Sequence, residues 1–249
     1  MTKIISVTGK GGVGKSTFSS LILKYLTQNR KKVVLAVDAD SNSTLGEMLG
    51  VKVESTIGDV REEMLKEKDN LPAGISKQEY VDYQIQSAVS EEDKFDLITM
   101  GRPEGPGCYC YINSILRTFI DNISSKYEYV IIDNEAGMEH LSRRTTLKMD
   151  SLFIISEPTL IGIKTADRIR NLAFEMDIKI GNYELVINRA QNGLDAELEK
   201  LLTELEFSKY HLLPYDPALE QLLIKNVSIL DLPDNSKLYK KILEIGKAL

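Results

Sequence analysis

Short apolar runs alternate along the chain with longer stretches in which apolar residues recur every three or four positions. The runs Ile4–Thr8, Val33–Asp38, Phe95–Met100, Tyr129–Asp133, Leu152–Ser156 and Leu185–Asn188 read as strands, with a weaker one near His211–Leu213. Several are apolar throughout rather than alternating, as strands covered on both faces are. Between them, Phe18, Leu21, Ile22, Tyr25 and Leu26 mark one helical face. Ile115, Leu116, Phe119, Ile120 and Ile123 mark a second, and Leu198, Leu201, Leu202 and Leu205 a third. Strands separated by helices imply βαβ crossovers, hence an α/β fold with a mainly parallel central sheet flanked by helices. The stretch from about 51 to 93 is more polar and lacks a clear strand; it is expected to form exposed helices and loops inserted after the second strand. With no repeat, low-complexity tract or Pro/Ser linker, residues 1–249 are expected to form a single domain.

Charge and composition narrow the function. With 31 Lys+Arg against 37 Asp+Glu the net charge is −6, which argues against binding a nucleic-acid backbone, a task that relies on clustered cations. No uncharged apolar run approaches the roughly 18 residues needed to span a bilayer, and the N-terminus lacks a signal-peptide pattern. A cytoplasmic protein with neither membrane nor nucleic-acid partner is expected. The two cysteines, Cys108 and Cys110, are separated by one residue. A disulfide that short would be strained, and nothing suggests a secreted disulfide framework.

The sharpest signal is Gly9-Lys-Gly-Gly-Val-Gly-Lys-Ser16, followed by Thr17, between a strand and an amphipathic helix. It fits the phosphate-loop pattern. Backbone N–H groups of Gly11, Gly12, Val13 and Gly14, with those opening the helix at Lys15, Ser16 and Thr17, are suited to surround phosphate oxygens. Lys15 then reaches the β/γ-phosphates and the Ser16 hydroxyl is a Mg²⁺ ligand. The second lysine, Lys10, makes the loop resemble that of the MinD/ParA class of P-loop NTPases, which includes the nitrogenase iron protein. This resemblance implies ATP/ADP and Mg²⁺ as ligands, ATP hydrolysis to ADP and phosphate, and a homodimer in which Lys10 reaches the partner's phosphates. It further implies that Asp40 positions the attacking water, with Asp38 nearby. Asp133, ending a Walker B-like strand, would contact Mg²⁺ and open a switch segment, Asn134-Glu-Ala-Gly137. In the same class the segments matching Val186-Ile-Asn188-Arg189 and Leu213-Pro214-Tyr-Asp216 hold the adenine. Catalytic roles therefore fall to Lys10, Lys15 and Asp40.

The segment Gly105-Pro-Gly-Cys-Tyr-Cys-Tyr-Ile-Asn113 follows the Phe95–Met100 strand. Thiolates select soft or borderline ions, and two C-x-C turns meeting across a twofold axis would supply four sulfurs, suiting tetrahedral Zn²⁺ or square-planar Ni²⁺. Together with the Lys10 loop and Asp133-Asn-Glu-Ala-Gly-Met-Glu-His140, Gly107-Cys-Tyr-Cys110 makes the chain resemble the CooC-type nickel-insertion ATPases. The implied function is an ATP-dependent metallochaperone that binds nickel or zinc between two subunits. Its implied client is nickel-dependent carbon monoxide dehydrogenase or acetyl-CoA synthase. Two alternatives remain open: a MinD/ParA-type positioning ATPase, and an iron–sulfur-carrying reductase ATPase like the nitrogenase iron protein. Neither His140 nor His211 is given a metal role, and His211 is expected to be a packed or capping residue.

Overall fold

A computed structural model describes residues 2–66, 74, 77–102, 118, 126–136, 148–176, 178–190, 193–207 and 209–249. The chain begins with β1 (Lys3–Gly9), α1 (Lys15–Lys24), β2 (Val34–Ala39) and α2 (Thr44–Leu49). Two helices, α3 (Ile57–Lys66) and α4 (Lys77–Ser87), lead to β3 (Ser90–Glu91) and β4 (Phe95–Thr99). Then come β5 (Tyr129–Asn134), β6 (Lys148–Ser156), α5 (Leu160–Glu175), β7 (Lys179–Ile187), α6 (Ala196–Glu204) and β8 (Tyr210–Leu212). Two helices, α7 (Pro217–Ile224) and α8 (Lys237–Gly246), complete the order. The strands form one eight-stranded sheet, ordered β3-β4-β2-β5-β1-β6-β7-β8. Every pairing is parallel except β3 with β4.

Both faces of the sheet are covered, which is why its strands are apolar at odd and even positions alike. On one face Ile5, Val7, Val34, Ala36, Leu97 and Ile131 pack with α1 and α8 residues, among them Phe18, Leu21, Leu238 and Ile242. On the other, Leu35, Val37, Ile98 and Ile132 meet Ile57, Val60 and Ile85, and Leu152, Ile154 and Leu185 meet Ile163, Ile169 and Leu202. The polar stretch after β2 therefore differs from its expected exposure: α3 and α4 each bury one side against the sheet. The same stretch also contains a strand, the two-residue β3, which the sequence pattern missed because a two-residue edge leaves no periodicity. Of the helix expected over Ile115–Ile123, only Thr118 is among the described residues.

The last helix shows how burial decides a role. Its apolar side, Leu238, Tyr239, Ile242 and Ile245, is in the core, so that face is spent on packing. No helix among the described residues is long and apolar enough to cross a membrane.

His211 lies in β8 and its Nε2 meets Glu184 Oε2. Lys209 Nζ donates to Glu184 Oε1, and Asn182 Nδ2 donates to the same oxygen at 2.6 Å. Burial pushes the pKa of this carboxyl up, but the His211 and Lys209 hydrogen bonds and charges outweigh it and hold the pKa at about 2. A depressed carboxyl pKa stabilises the fold fully above its ordinary value of 4.5, and that contribution is lost as pH falls through about 2. Glu184→Gln is expected to lower the unfolding free energy by about 2 kcal/mol at pH 7. In urea titrations across pH the gap from the parent protein should close toward pH 2; a gap that stays constant with pH would contradict this electrostatic account.

Candidate nucleotide site

The residues singled out for phosphate binding converge at the C-terminal edge of the sheet, where open parallel sheets place their ligands. The loop after β1 turns through Gly12 (φ 76°) and Gly14 (φ 101°), both in the left-handed region. At Gly14 a Cβ would lie 2.4 Å from Asn188 Nδ2, so glycine is required there by conformation and space together. That approach lets Asn188 Nδ2 donate to the Val13 carbonyl at 2.8 Å, while Asn188 Oδ1 accepts from Arg189 N at 2.9 Å. Asn188 thus ties the end of β7 to the phosphate loop.

Lys15 opens α1 and is only 7% exposed. Its Nζ donates to the Lys10 carbonyl at 3.3 Å. Burial pushes its pKa below the ordinary lysine value, and the charges of Asp133, Asp40 and Glu135 partly restore it. An ammonium in this position gains from a further anion, which the N-terminus of α1 also favours. The Lys10 side chain is exposed.

Asp133 is fully buried at the end of β5. Its Oδ1 accepts from Ser19 Oγ at 3.0 Å, whereas Oδ2 has no hydrogen-bond partner among the described residues. Burial raises its pKa to about 6, against the pull of the nearby Ser16 and Ser19 hydroxyls and Lys15. A buried carboxylate oxygen without a partner, beside the Ser16 hydroxyl, is the hard-oxygen donor set that Mg²⁺ takes, so the residues fit that ion. Ser16 Oγ also meets Thr44 Oγ1 at 3.3 Å.

Asp38 stands beside Asp133 in the strand register and is completely enclosed. Both its oxygens accept backbone N–H groups: Oδ1 from Asp40 at 3.1 Å and Oδ2 from Leu45 at 2.8 Å. Burial, then the Asp133 charge, raise its pKa to about 7. Asp40 is half-buried on the following turn, its Oδ1 accepting from Asn42 N at 2.9 Å and Asn42 Nδ2 at 3.0 Å. Ser41 Oγ donates to Glu135 Oε1 at 3.4 Å, joining the turn after β2 to the segment after β5.

Beside the loop lies a cavity of about 340 Å³. Thr17, Asn188, Arg189 and Pro214 line it, together with Tyr215 and Glu220, whose side chains hydrogen-bond to each other. The structure therefore brings Asn188, Arg189, Pro214, Tyr215 and Asp216, from the two segments expected around the base, to one concavity of a size suited to a small ligand, with Thr17 of the phosphate loop beside them. Sequence reading did not identify Ser19, Glu220 or Leu238 here, and it reached Glu135 and Tyr215 only as members of the quoted segments. Ser19 falls one helical turn after Ser16 and was discoverable from that spacing; the pocket wall from α7 and α8 required the tertiary fold. Cys108, Cys110, Gly137 and His140 lie outside the described residues. Among the described residues, no group of three or more His, Cys, Asp or Glu side chains is placed to hold a metal ion.

Gly14→Ala is expected to lose about 2 kcal/mol of stability and to weaken ATP binding, because strain and the Asn188 clash combine. Gly12→Ala meets nothing within 4 Å and should cost only about 1 kcal/mol. Urea unfolding and titration with a fluorescent ATP analogue separate the two; equal effects would argue against the Asn188 contact.

Comparison with known proteins agrees with this geometry. Residues 1–179 match the family described as AAA domain. The uncharacterized ATP-binding protein MJ0685 of Methanocaldococcus jannaschii is 42% identical over 99% of this chain and 98% of its own length. The carbon monoxide dehydrogenase accessory protein CooC of Rhodospirillum rubrum is 32% identical over 70% of each chain. A ParA family ATPase from Chlorobium tepidum superposes over all of both chains with a TM-score of 0.75 at 22% identity. The chain belongs to the AAA domain family and has the P-loop NTPase fold of the ParA and MinD proteins.

Proposed function

We propose that the protein is an ATP-dependent metallochaperone: an ATPase that pairs with a second copy when it binds ATP, holds nickel or zinc between the Cys108 and Cys110 thiolates of both copies, and delivers it to a nickel enzyme. The observation that carries the nucleotide half is the enclosed Lys15 ammonium beside Asp133, whose buried Oδ2 has no hydrogen-bond partner among the described residues. The 32% identity to a carbon monoxide dehydrogenase accessory protein supports the metal half, together with the thiol pair in the sequence.

In this reading Lys15 and the α1 N-terminus hold the phosphates, Ser16 and Asp133 hold Mg²⁺, and Asp40 orients the attacking water. Mg²⁺, when bound, would neutralise charge on the phosphate oxygens. Asn188, Arg189, Pro214 and Thr17 surround the base. Lys10, exposed and able to reach away from its own loop, supplies a cation to the partner's phosphates, where charge develops during transfer. The client is a nickel-dependent carbon monoxide dehydrogenase or acetyl-CoA synthase.

A positioning ATPase of the MinD kind is the second reading. It needs a surface for a membrane or a large partner. The burial of Leu238, Tyr239, Ile242 and Ile245 removes the apolar side of α8 as a membrane anchor, which favours the metallochaperone.

Lys10→Ala is expected to keep ATP affinity within about threefold but to abolish the ATP-dependent shift from monomer to dimer. Size-exclusion chromatography with light scattering reads this out, and a normal shift would rule out action in trans. The double substitution Cys108→Ala with Cys110→Ala should eliminate uptake of about one Ni²⁺ per dimer while ATP binding persists. Equilibrium dialysis with ATP present measures it; unchanged nickel uptake would remove the metal half of the proposal.

A further inference from the structure

Asp38, Asp133 and Thr99 form one row across three neighbouring strands, since Asp38 pairs in register with Asp133 on β5 and with Thr99 on β4. Laterally paired residues of parallel strands point to the same face, here the face that carries α1. Two atoms in this row, Asp133 Oδ2 and Thr99 Oγ1, are buried without a hydrogen-bond partner among the described residues. The middle member is different. Asp38 is 0% exposed, and each of its oxygens is committed to a backbone donor: Asp40 N at 3.1 Å and Leu45 N at 2.8 Å.

Those two donors bracket the whole turn between β2 and α2. Leu45 belongs to the first turn of α2, where backbone N–H groups have no intrahelical acceptor. The residue at the usual capping position, Ser43, has a left-handed φ of 56° and makes no side-chain cap. Asp38 therefore does from the strand end what an N-cap does from the neighbouring residue. Its other oxygen fixes the amide of Asp40, and its own carbonyl accepts from Met100 N at 2.8 Å. One residue thus holds the turn that carries Asp40, the start of α2, and the exit of β4 toward Cys108.

We infer that Asp38 is a positioning residue: it touches no nucleotide but sets the place of Asp40 by clamping both ends of the β2–α2 turn. The inference rests on the proposed water-orienting role of Asp40 for its kinetic consequence, and on the geometry alone for its structural one. Displacing a reacting group by about 1 Å costs on the order of 100-fold in rate, so loss of the clamp appears in turnover and not in affinity.

The test compares Asp38→Asn with Asp40→Asn. Asp38→Asn nearly preserves shape and can still accept at one oxygen, but its amide cannot accept from the second N–H. It should lower kcat on the order of 100-fold with the ATP KM and the Mg²⁺ requirement within about threefold of the parent. Amide exchange at Leu45 should accelerate at least about tenfold, while amides in the centre of β5 keep their protection. A tenfold rise in KM or Mg²⁺ requirement with Leu45 exchange unchanged would make Asp38 a ligand and overturn the inference. Should Asp40→Asn turn over ATP normally, the proposed role of Asp40 fails, and Leu45 exchange in Asp38→Asn still decides the clamp. A measurement on the unaltered protein covers the case in which the variant does not fold. Leu45 N–H should exchange at least about tenfold more slowly than Thr44 N–H, and equal rates would overturn the clamp.

Discussion

A lysine ammonium enclosed among carboxylates at the end of a parallel sheet is the constraint around which this site is arranged. Lys15 is 7% exposed, and its Nζ donates to the Lys10 carbonyl at 3.3 Å. Burying a charge with so little direct compensation is expensive. Asp133, Asp40 and Glu135 offset part of the cost through space, but Asp133 is itself enclosed, and its Oδ2 has no partner among the described residues. Within the described residues neither sign of charge in the site is thus fully satisfied. An anionic phosphate and a divalent cation, bound together, answer both deficits at once, which is how a site sacrifices stability for ligand binding.

The helix that begins at Lys15 transmits this arrangement across the molecule. At its other end Lys24 is 3% exposed, donates to the Leu230 carbonyl at 3.0 Å and also to Leu232 O, and lies 4.6 Å from the centre of the Tyr239 ring. A cation there also suits the negative end of the helix. Those partners belong to the C-terminal segment, whose helix α8 packs on α1. Asp216 locks the same segment to the cavity beside the phosphate loop. Its Oδ1 accepts from Ala218 N at 2.8 Å, while its Oδ2 accepts from Ser236 Oγ at 2.7 Å and Leu238 N at 3.1 Å. One carboxylate therefore starts both α7 and α8, and the wall of the cavity is continuous with the phosphate-loop helix.

How much of this was legible in the sequence follows from the range of each interaction. The strands Ile4–Thr8 and Tyr129–Asp133 were readable because burial on both faces leaves an unbroken apolar run, and the structure extends them by only a residue or so. The phosphate loop was readable because its φ values demand glycine at fixed offsets from Lys15. The α3–α4 stretch was misread as exposed because Ile57, Val60 and Ile85 are too widely spaced among charges to dominate the local pattern. Asp38 was recognised as a carboxylate at a strand end, but its partners are two backbone amides on a turn, which no spacing of side chains encodes. Tyr215, Glu220 and Leu238 meet only because β8, α7 and α8 fold back on α1.

The strand order also bears on how a nucleotide and a metal would be coupled. β2, which carries Asp38 and leads to Asp40, lies between β5, which carries Asp133, and β4, from which the chain proceeds toward Cys108. Met100 N donates to the Asp38 carbonyl at 2.8 Å, and Gly101 has a left-handed φ of 66° with Thr56 packed where its side chain would be. The exit of β4 is therefore tied to the same residue that clamps the Asp40 turn, with a single hydrogen bond between them. In the metallochaperone reading any effect of nucleotide state on metal affinity is reciprocal, so bound metal would alter nucleotide affinity by the same factor. Coupling through adjacent strands requires no long pathway, only that the Asp40 turn have two arrangements that ATP and ADP favour unequally.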